Sequence, residues 1–152
     1  MQIVNSIDIN APPAEIFYWL EDPDRAKQWM TSVTKSEIIN DTPTKVGTTF
    51  REYIEEDGKG IEMQGVITEF ISNERFAVHL ESKYNSVDVR FDLFEKDGIT
   101  QLIQNVDLRF KGISKIVSIF IQKSLKAKIS QQSHSEFARL KEICEKSDMG
   151  AS

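Results

Sequence analysis

A chain of 152 residues, 39% apolar and 28% charged, has the size and composition of a single folded domain. It has no apolar run near the roughly 18 residues of a membrane-spanning helix, and it begins without a basic and apolar leader, so we expect a cytoplasmic protein with no integral membrane segment. The net charge of −5 argues against nucleic acid as a partner. We expect one domain over residues 1–146 and a frayed tail over residues 147–152.

The first thirty residues predict one strand and a pair of short helices. Apolar residues alternate with polar ones over residues 2–10, which is typical of a strand with one face in a core. Asn10 precedes two prolines, and we expect its side chain to cap the free N–H groups of a first short helix. Asp22, followed by a third proline, is expected to cap a second short helix that leads to Trp29 and Met30.

The middle of the chain alternates strand and turn signals. The pattern predicts strands near residues 33–39, 47–56, 60–71, 75–82, 86–96 and 99–110. Asp97-Gly98 and residues 57–60 have the composition of tight hairpin turns, so consecutive strands should pair antiparallel. One face of this meander is apolar and the other is polar, which predicts a sheet with a buried side and a solvated side.

The last long stretch, Ile113 to Cys144, contains no proline and no interior glycine, which predicts one C-terminal helix or two joined ones. In its second half the apolar residues form a stripe suited to packing on a sheet, namely Ile129, Phe137, Leu140 and Cys144. In its first half they form a second stripe about half a turn away, namely Ile113, Ile116, Val117 and Phe120.

Three segments carry a resemblance to a known family. They are Ser6-Ile7-Asp8-Ile9-Asn10-Ala11-Pro12-Pro13 with Ile16-Phe17, then Asp22-Pro23-Asp24-Arg25 leading to Trp29, then Val46-Gly47-Thr48. With the order of elements, they resemble the START-like, birch-pollen-allergen-like superfamily (SRPBCC), and within it the polyketide cyclase/dehydrase-like group. The resemblance implies an α+β helix-grip fold. In that fold a curved antiparallel sheet of about seven strands wraps around a long C-terminal helix, with two short helices after the first strand.

The resemblance also implies a cavity between the sheet and the C-terminal helix. We therefore expect binding or transport of a hydrophobic or amphipathic small molecule, such as a lipid, quinone or polyketide-like compound. An enzyme of the polyketide cyclase/dehydratase type using the same cavity is the alternative, and a chaperone-activator-like protein-interaction module is a second one. No fixed catalytic motif comes with the superfamily, so the catalytic residues, if there are any, stay unknown.

The apolar faces of the predicted elements supply the candidate wall of the cavity. It consists of Trp29, Phe50, Tyr53, Met63, Phe76, Leu80, Val89, Phe91, Gln104, Val106, Val117 and Phe120. Two amides lie on apolar faces, Asn5 and Gln104, and each needs a partner that is a ligand, a water or a neighbouring backbone group.

The strand over residues 47–56 has two faces that the pattern does not distinguish. Phe50, Glu52 and Ile54 alternate with Thr49, Arg51 and Tyr53, and either set could face the cavity. A Glu52 or Arg51 side chain beside apolar walls would support enolate or carbonyl chemistry. The enzyme alternative therefore depends on one of these two residues facing the cavity.

The two stripes of the last stretch cannot both face the sheet along one straight helix. We expect a bend or break within residues 124–130, so that the first half covers the cavity mouth and brings lysines toward an anionic ligand group: Lys123, Lys126 and Lys128. The alternative is a straight helix whose first stripe is covered by a second subunit or a membrane surface. The chain is thus expected to be a monomer or a homodimer, and transient membrane contact stays open.

Few residues have the chemistry of a metal or cofactor site. His79 and His134 are far apart in sequence, and the single cysteine, Cys144, lies on the packing stripe, where a buried inert thiol is expected. No phosphate-binding loop or dinucleotide fingerprint occurs. The sequence therefore predicts no metal and no cofactor.

Overall fold

A single antiparallel sheet carries most of the chain. The computed structural model describes residues 1–56, 59–112 and 115–151, with side chains described over 1–55, 60–112 and 123–146. The strands are β1 (Gln2–Ile9), β2 (Val33–Asn40), β3 (Thr49–Glu56), β4 (Lys59–Ile71), β5 (Arg75–Glu81), β6 (Asn85–Lys96) and β7 (Ile99–Phe110). The helices are α1 (Pro13–Glu21), α2 (Pro23–Ala26) and α3 (Lys115–Ala151).

The sheet has seven strands in the order β1-β7-β6-β5-β4-β3-β2, and every neighbouring pair is antiparallel. The hairpin predicted at Asp97-Gly98 is confirmed, because both residues have positive φ angles, 54° and 83°, as a tight two-residue turn requires. The curved sheet, the two short helices and the long last helix confirm the helix-grip fold. The predicted division at residue 146 stays a prediction.

Alternating burial fixes which face of the sheet is inside. In β1, Ile3 and Ile9 are buried at 2% and 0% exposure, whereas Val4 between them is 64% exposed. The buried faces of the strands and the helices share one core, which contains Phe17 of α1 and Leu140 of α3. The inner face of the sheet therefore carries the core, and the outer face meets solvent.

The two short helices begin differently. The Asp22 carboxylate accepts hydrogen bonds from the backbone N–H groups of Asp24 and Arg25 at 2.8 and 3.1 Å, so this predicted cap is confirmed. The Asn10 cap is wrong, because α1 begins at Pro13, with Pro12 as its cap residue and no side-chain cap bond. Asn10 lies too far upstream, and its backbone N–H instead donates to Glu145 of α3 at 3.0 Å.

Helix α3 is held by its second half. Phe137, Leu140 and Cys144 are fully or almost fully buried, which confirms the predicted packing stripe, and Ile129 is half-buried. The helix is continuous through residues 124–130, so the predicted break is wrong, while a bend stays a prediction. The three lysines of that region are exposed: Lys123, Lys126 and Lys128. The first apolar stripe, Ile113, Ile116, Val117 and Phe120, lies outside the described side chains.

Candidate functional site

A cavity of about 140 Å³ lies between the inner face of the sheet and the segment that contains α1 and α2. Its apolar wall comes from that segment and from β2 to β6, and consists of Leu20, Pro23, Ala26, Trp29, Met30, Ile38, Phe50, Ile67, Phe76, Val78, Leu80, Val89 and Phe91. Its polar and charged residues are Glu21, Asp41, Lys45, Thr48, Glu52 and Gln104. Among the described lining residues none comes from α3, because the buried half of that helix packs further along, on β1 and α1.

The predicted wall residues other than Tyr53 fall into three groups. Those that border the cavity are Trp29, Phe50, Phe76, Leu80, Val89, Phe91 and Gln104. Met63 and Val106 are buried, but they do not border it. Val117 and Phe120 lie outside the described side chains.

Some wall residues were missed by the sequence analysis. Val78 lies between Phe76 and Leu80 in the alternation of this strand, so the period-two pattern could have identified it as a wall residue. Asp41 and Lys45 belong to the loop between β2 and β3, where no periodic signal reports which way a side chain points.

Strand β3 turns Glu52 toward the cavity and Tyr53 away from it. Phe50 and Glu52 line the cavity, while Arg51 on the opposite face forms ion pairs with Glu37 and Glu62 at 3.0 and 2.7 Å. Tyr53 shares that outer face, so it is not a wall residue, and the ammonium group of Lys35 lies 5.5 Å from its ring centroid. The sequence did not distinguish the two faces of this strand, and the register of the sheet places the face with Phe50 and Glu52 toward the cavity.

Phe50 reaches its position because its partner in β4 is a glycine. Phe50 pairs with Gly65 across the strands, and its ring lies against the Gly65 backbone. A Cβ atom on Gly65 would lie 2.8 Å from Cε1 of the ring and nearer still to Cζ, which no side chain tolerates. The glycine therefore lets an aromatic ring form part of the cavity wall.

The two amides on the apolar face bind each other. Asn5 and Gln104 are paired in the β1–β7 register, and Asn5 Nδ2 donates to Gln104 Oε1 at 3.3 Å. Asn5 is 6% exposed, so this bond satisfies an amide that would otherwise be desolvated without a partner. Neither a ligand nor a backbone group is needed to explain the pair, although Gln104 also borders the cavity.

Replacing Gln104 by leucine is expected to lower the free energy of unfolding by about 1–3 kcal/mol, because the buried Asn5 amide loses its partner. Urea denaturation measures the change. The double variant Asn5→Leu with Gln104→Leu is the control, since it removes both amides and should recover most of the loss. Equal stabilities of the wild type and the single variant would contradict this role of the bond.

Two carboxylates near the cavity are strongly desolvated. Burial raises the pKa of Glu52 to about 7. Glu136 of α3 is 8% exposed, and burial raises its pKa to about 7, with a further contribution from the charge of Glu52. The backbone N–H groups of Thr31 and Ser32 bond the Glu136 carboxylate and oppose this rise. The pair therefore titrates near neutral pH.

The outer face of the sheet carries a wider depression of about 380 Å³ whose charged residues include Asp88 and Arg90. On this face the charges pair across strands, as in the 2.6 Å contact between Arg109 and Asp88. His79 lies between Asp88 and Glu81 at 2.7 and 3.0 Å, and bonding to Asp88 and then Glu81 raises its pKa. No group of three potential metal ligands occurs among the described residues. This face is a solvated network of ion pairs.

Comparison with known proteins identifies the family. A family model described as Activator of Hsp90 ATPase homolog 1-like protein matches residues 10–142. The chain belongs to this family. No curated protein sequence matches it.

Solved structures place this family member among START-like folds. It is similar to the Zhui aromatase/cyclase from a Streptomyces species, with a TM-score of 0.80 and 13% identity over 95% of this chain and 93% of that one. It is similar to a START superfamily protein from Mycobacterium smegmatis, with a TM-score of 0.78 and 13% identity over 95% and 97% of the two chains. A Thermus thermophilus protein has a TM-score of 0.78 and 14% identity over 93% and 95%. The START-like resemblance is thereby confirmed for the fold.

Within the described residues, no helix is both long enough and apolar enough to cross a membrane.

Proposed function

We propose that this protein binds an apolar or amphipathic small molecule in the cavity between the sheet and the helices. The observation that carries the proposal is a cavity of about 140 Å³ enclosed mainly by aromatic and aliphatic side chains. Leaving an apolar wall of this size uncovered has a free-energy cost, which larger side chains could have avoided by filling the space. A ligand that fills the volume offsets this cost.

The size of the cavity bounds the part of the ligand that it encloses. A volume of about 140 Å³ is close to the roughly 150 Å³ that takes a benzene ring and below the roughly 300–1,000 Å³ that encloses a drug-sized molecule. The cavity therefore fits one ring or a short alkyl end. A lipid, quinone or polyketide-like ligand would leave the rest of its length at the mouth, beside the exposed Asp41 and Lys45.

Binding of a fluorescent apolar probe, 1-N-phenylnaphthylamine, tests the proposal. Val89→Phe should fill part of the cavity and weaken probe binding about tenfold or more, because Val89 borders it. Val4→Phe is the matched control, since Val4 is 64% exposed on the outer face. A wild type that binds no probe, or a Val89→Phe variant that binds it unchanged while its circular dichroism is native, would overturn the proposal. Mass spectrometry of an organic extract of the protein purified from its own cells would then identify the ligand.

A second candidate function is acid–base catalysis on the bound molecule, of the cyclase or dehydratase type. Glu52 favours it, because a carboxyl group with a pKa of about 7 beside apolar walls can exchange a proton at neutral pH. Turnover that rises or falls through about pH 7 and is lost in Glu52→Gln would support it. Binding of a polyketide-like compound without chemical change would favour the carrier.

The family description suggests a third candidate, a protein-interaction module of the chaperone-activator kind. An interior that accepts no apolar probe would favour this candidate over the other two. The oligomeric state and transient membrane contact stay predictions.

A further inference from the structure

One polar group in the cavity wall has no protein partner. The other polar wall residues are satisfied: Glu21 by Arg25 at 3.1 Å, Asp41 by Lys45 at 3.5 Å, Thr48 by Asp41 at 3.3 Å and Gln104 by Asn5 at 3.3 Å. For Glu52, the part of the chain that the structure describes offers neither a hydrogen bond nor an ion pair. Desolvating a carboxylate without a partner is unfavourable. A buried polar group of this kind therefore needs a hydrogen-bond or charge partner from outside the protein, such as a ligand or a water molecule.

A second carboxylate, close to Glu52, also has an oxygen atom without a hydrogen-bond partner among the described residues. Glu136 is 8% exposed, and its Oε2 atom is buried with no hydrogen-bond partner among the described residues. Its neighbours Thr31 and Ser32 stand beside β3, since Ser32 accepts a hydrogen bond from the N–H group of Glu55 at 3.1 Å. Glu136 is thereby close enough to Glu52 for the two charges to interact. Two desolvated carboxylates at this separation repel each other.

We propose that the ligand carries a protonated amine, which binds Glu52 with the support of Glu136 while its apolar body fills the cavity. This inference rests on the proposed function, because it assigns the polar end of the same ligand. A neutral hydroxyl would supply a hydrogen bond but leave the negative charge uncompensated in an apolar site. An ammonium group supplies three donors and the opposite charge, and charge-assisted bonds are about twice as strong as neutral ones.

The charges at the mouth do not oppose a cation. Besides Glu52, the acidic wall residues are Glu21 and Asp41, and each is paired with a basic residue, Arg25 and Lys45 respectively. A ligand carboxylate would instead meet Glu52 directly. The site therefore selects against anionic ligands, contrary to the anionic group expected from the lysines of α3.

Three compounds that differ only at one end test this inference: decylamine, decan-1-ol and decanoate, each displacing 1-N-phenylnaphthylamine from the wild type. At about pH 8, where both carboxyl groups are ionised, decylamine should bind about tenfold or more tightly than decan-1-ol, with decanoate the weakest. The preference should shrink toward about pH 6 as Glu52 and Glu136 take up protons, while the amine stays charged.

The variants locate the cation. Glu52→Gln should abolish the preference for decylamine over decan-1-ol, and Glu136→Gln should reduce it. Glu95→Gln, an exposed position with the same change of charge, is the control and should keep it. Equal binding of amine and alcohol by the wild type, or a preference that survives in Glu52→Gln, would overturn the inference while the proposed function stands. Failure of the probe itself to bind would overturn both.

Discussion

Phe137→Ala is expected to lower the free energy of unfolding by about 3–5 kcal/mol, the cost of emptying a well-packed aromatic site. Phe137 is 2% exposed, and its ring centroid lies 6.3 Å from that of Trp29, which borders the cavity. Trp29 is fixed in turn by the bond from its Nε1 to the backbone oxygen of Trp19 at 2.9 Å. The variant should therefore loosen α3 and the cavity wall together. Urea denaturation measures the loss.

Phe94→Ala is the matched control for this prediction. Phe94 is 57% exposed on β6, so the same change of side chain there should alter stability by no more than about 0.5 kcal/mol. A loss below about 1 kcal/mol for Phe137→Ala would mean that α3 is not anchored through this ring.

The sequence predicted the fold because local signals and burial agree along most of the chain. The strand boundaries follow from period-two alternation, and the hairpin at Asp97-Gly98 follows from residues that tolerate positive φ. The Asn10 cap failed because two residues, Ala11 and Pro12, separate Asn10 from the first residue of the helix. The exact end of a helix is the feature that sequence patterns locate least well.

The site was predicted less completely, for a different reason. A wall residue such as Phe91 follows from its strand alone, whereas the partner of an inward polar group depends on register between distant strands. Asn5 and Gln104 are 99 residues apart, and nothing near either one reports the other. The orientation of Glu52 and the burial of Glu136 likewise depend on contacts between β3, α3 and the residues 31–32. Sequence patterns identify which face of a strand is buried, whereas contacts between distant elements determine the partners of the polar side chains on that face.

Glu136→Gln is expected to stabilise the protein at about pH 8 and to leave it nearly unchanged at about pH 4. The pKa of Glu136 rises from the ordinary 4.5 to about 7 on folding, so between these values the folded state binds more protons than the unfolded state. Stability therefore falls as the pH rises from about 4.5 to about 7. At about 1.4 kcal/mol per pKa unit, the full penalty above pH 7 is about 3–4 kcal/mol.

Glutamine removes this penalty because it stays neutral at every pH, and its carbonyl oxygen can still accept from the N–H groups of Thr31 and Ser32. Thermal unfolding of the wild type and of the variant across about pH 4 to pH 8 measures the difference. Glu142→Gln, at an exposed position of the same helix, is the control and should leave the slope of the wild type unchanged. A Glu136→Gln variant with the same pH slope as the wild type would show that the Glu136 carboxylate keeps its solvation on folding. The unpartnered Oε2 atom would then be reached by water, and the support for a cationic ligand at Glu136 would be lost.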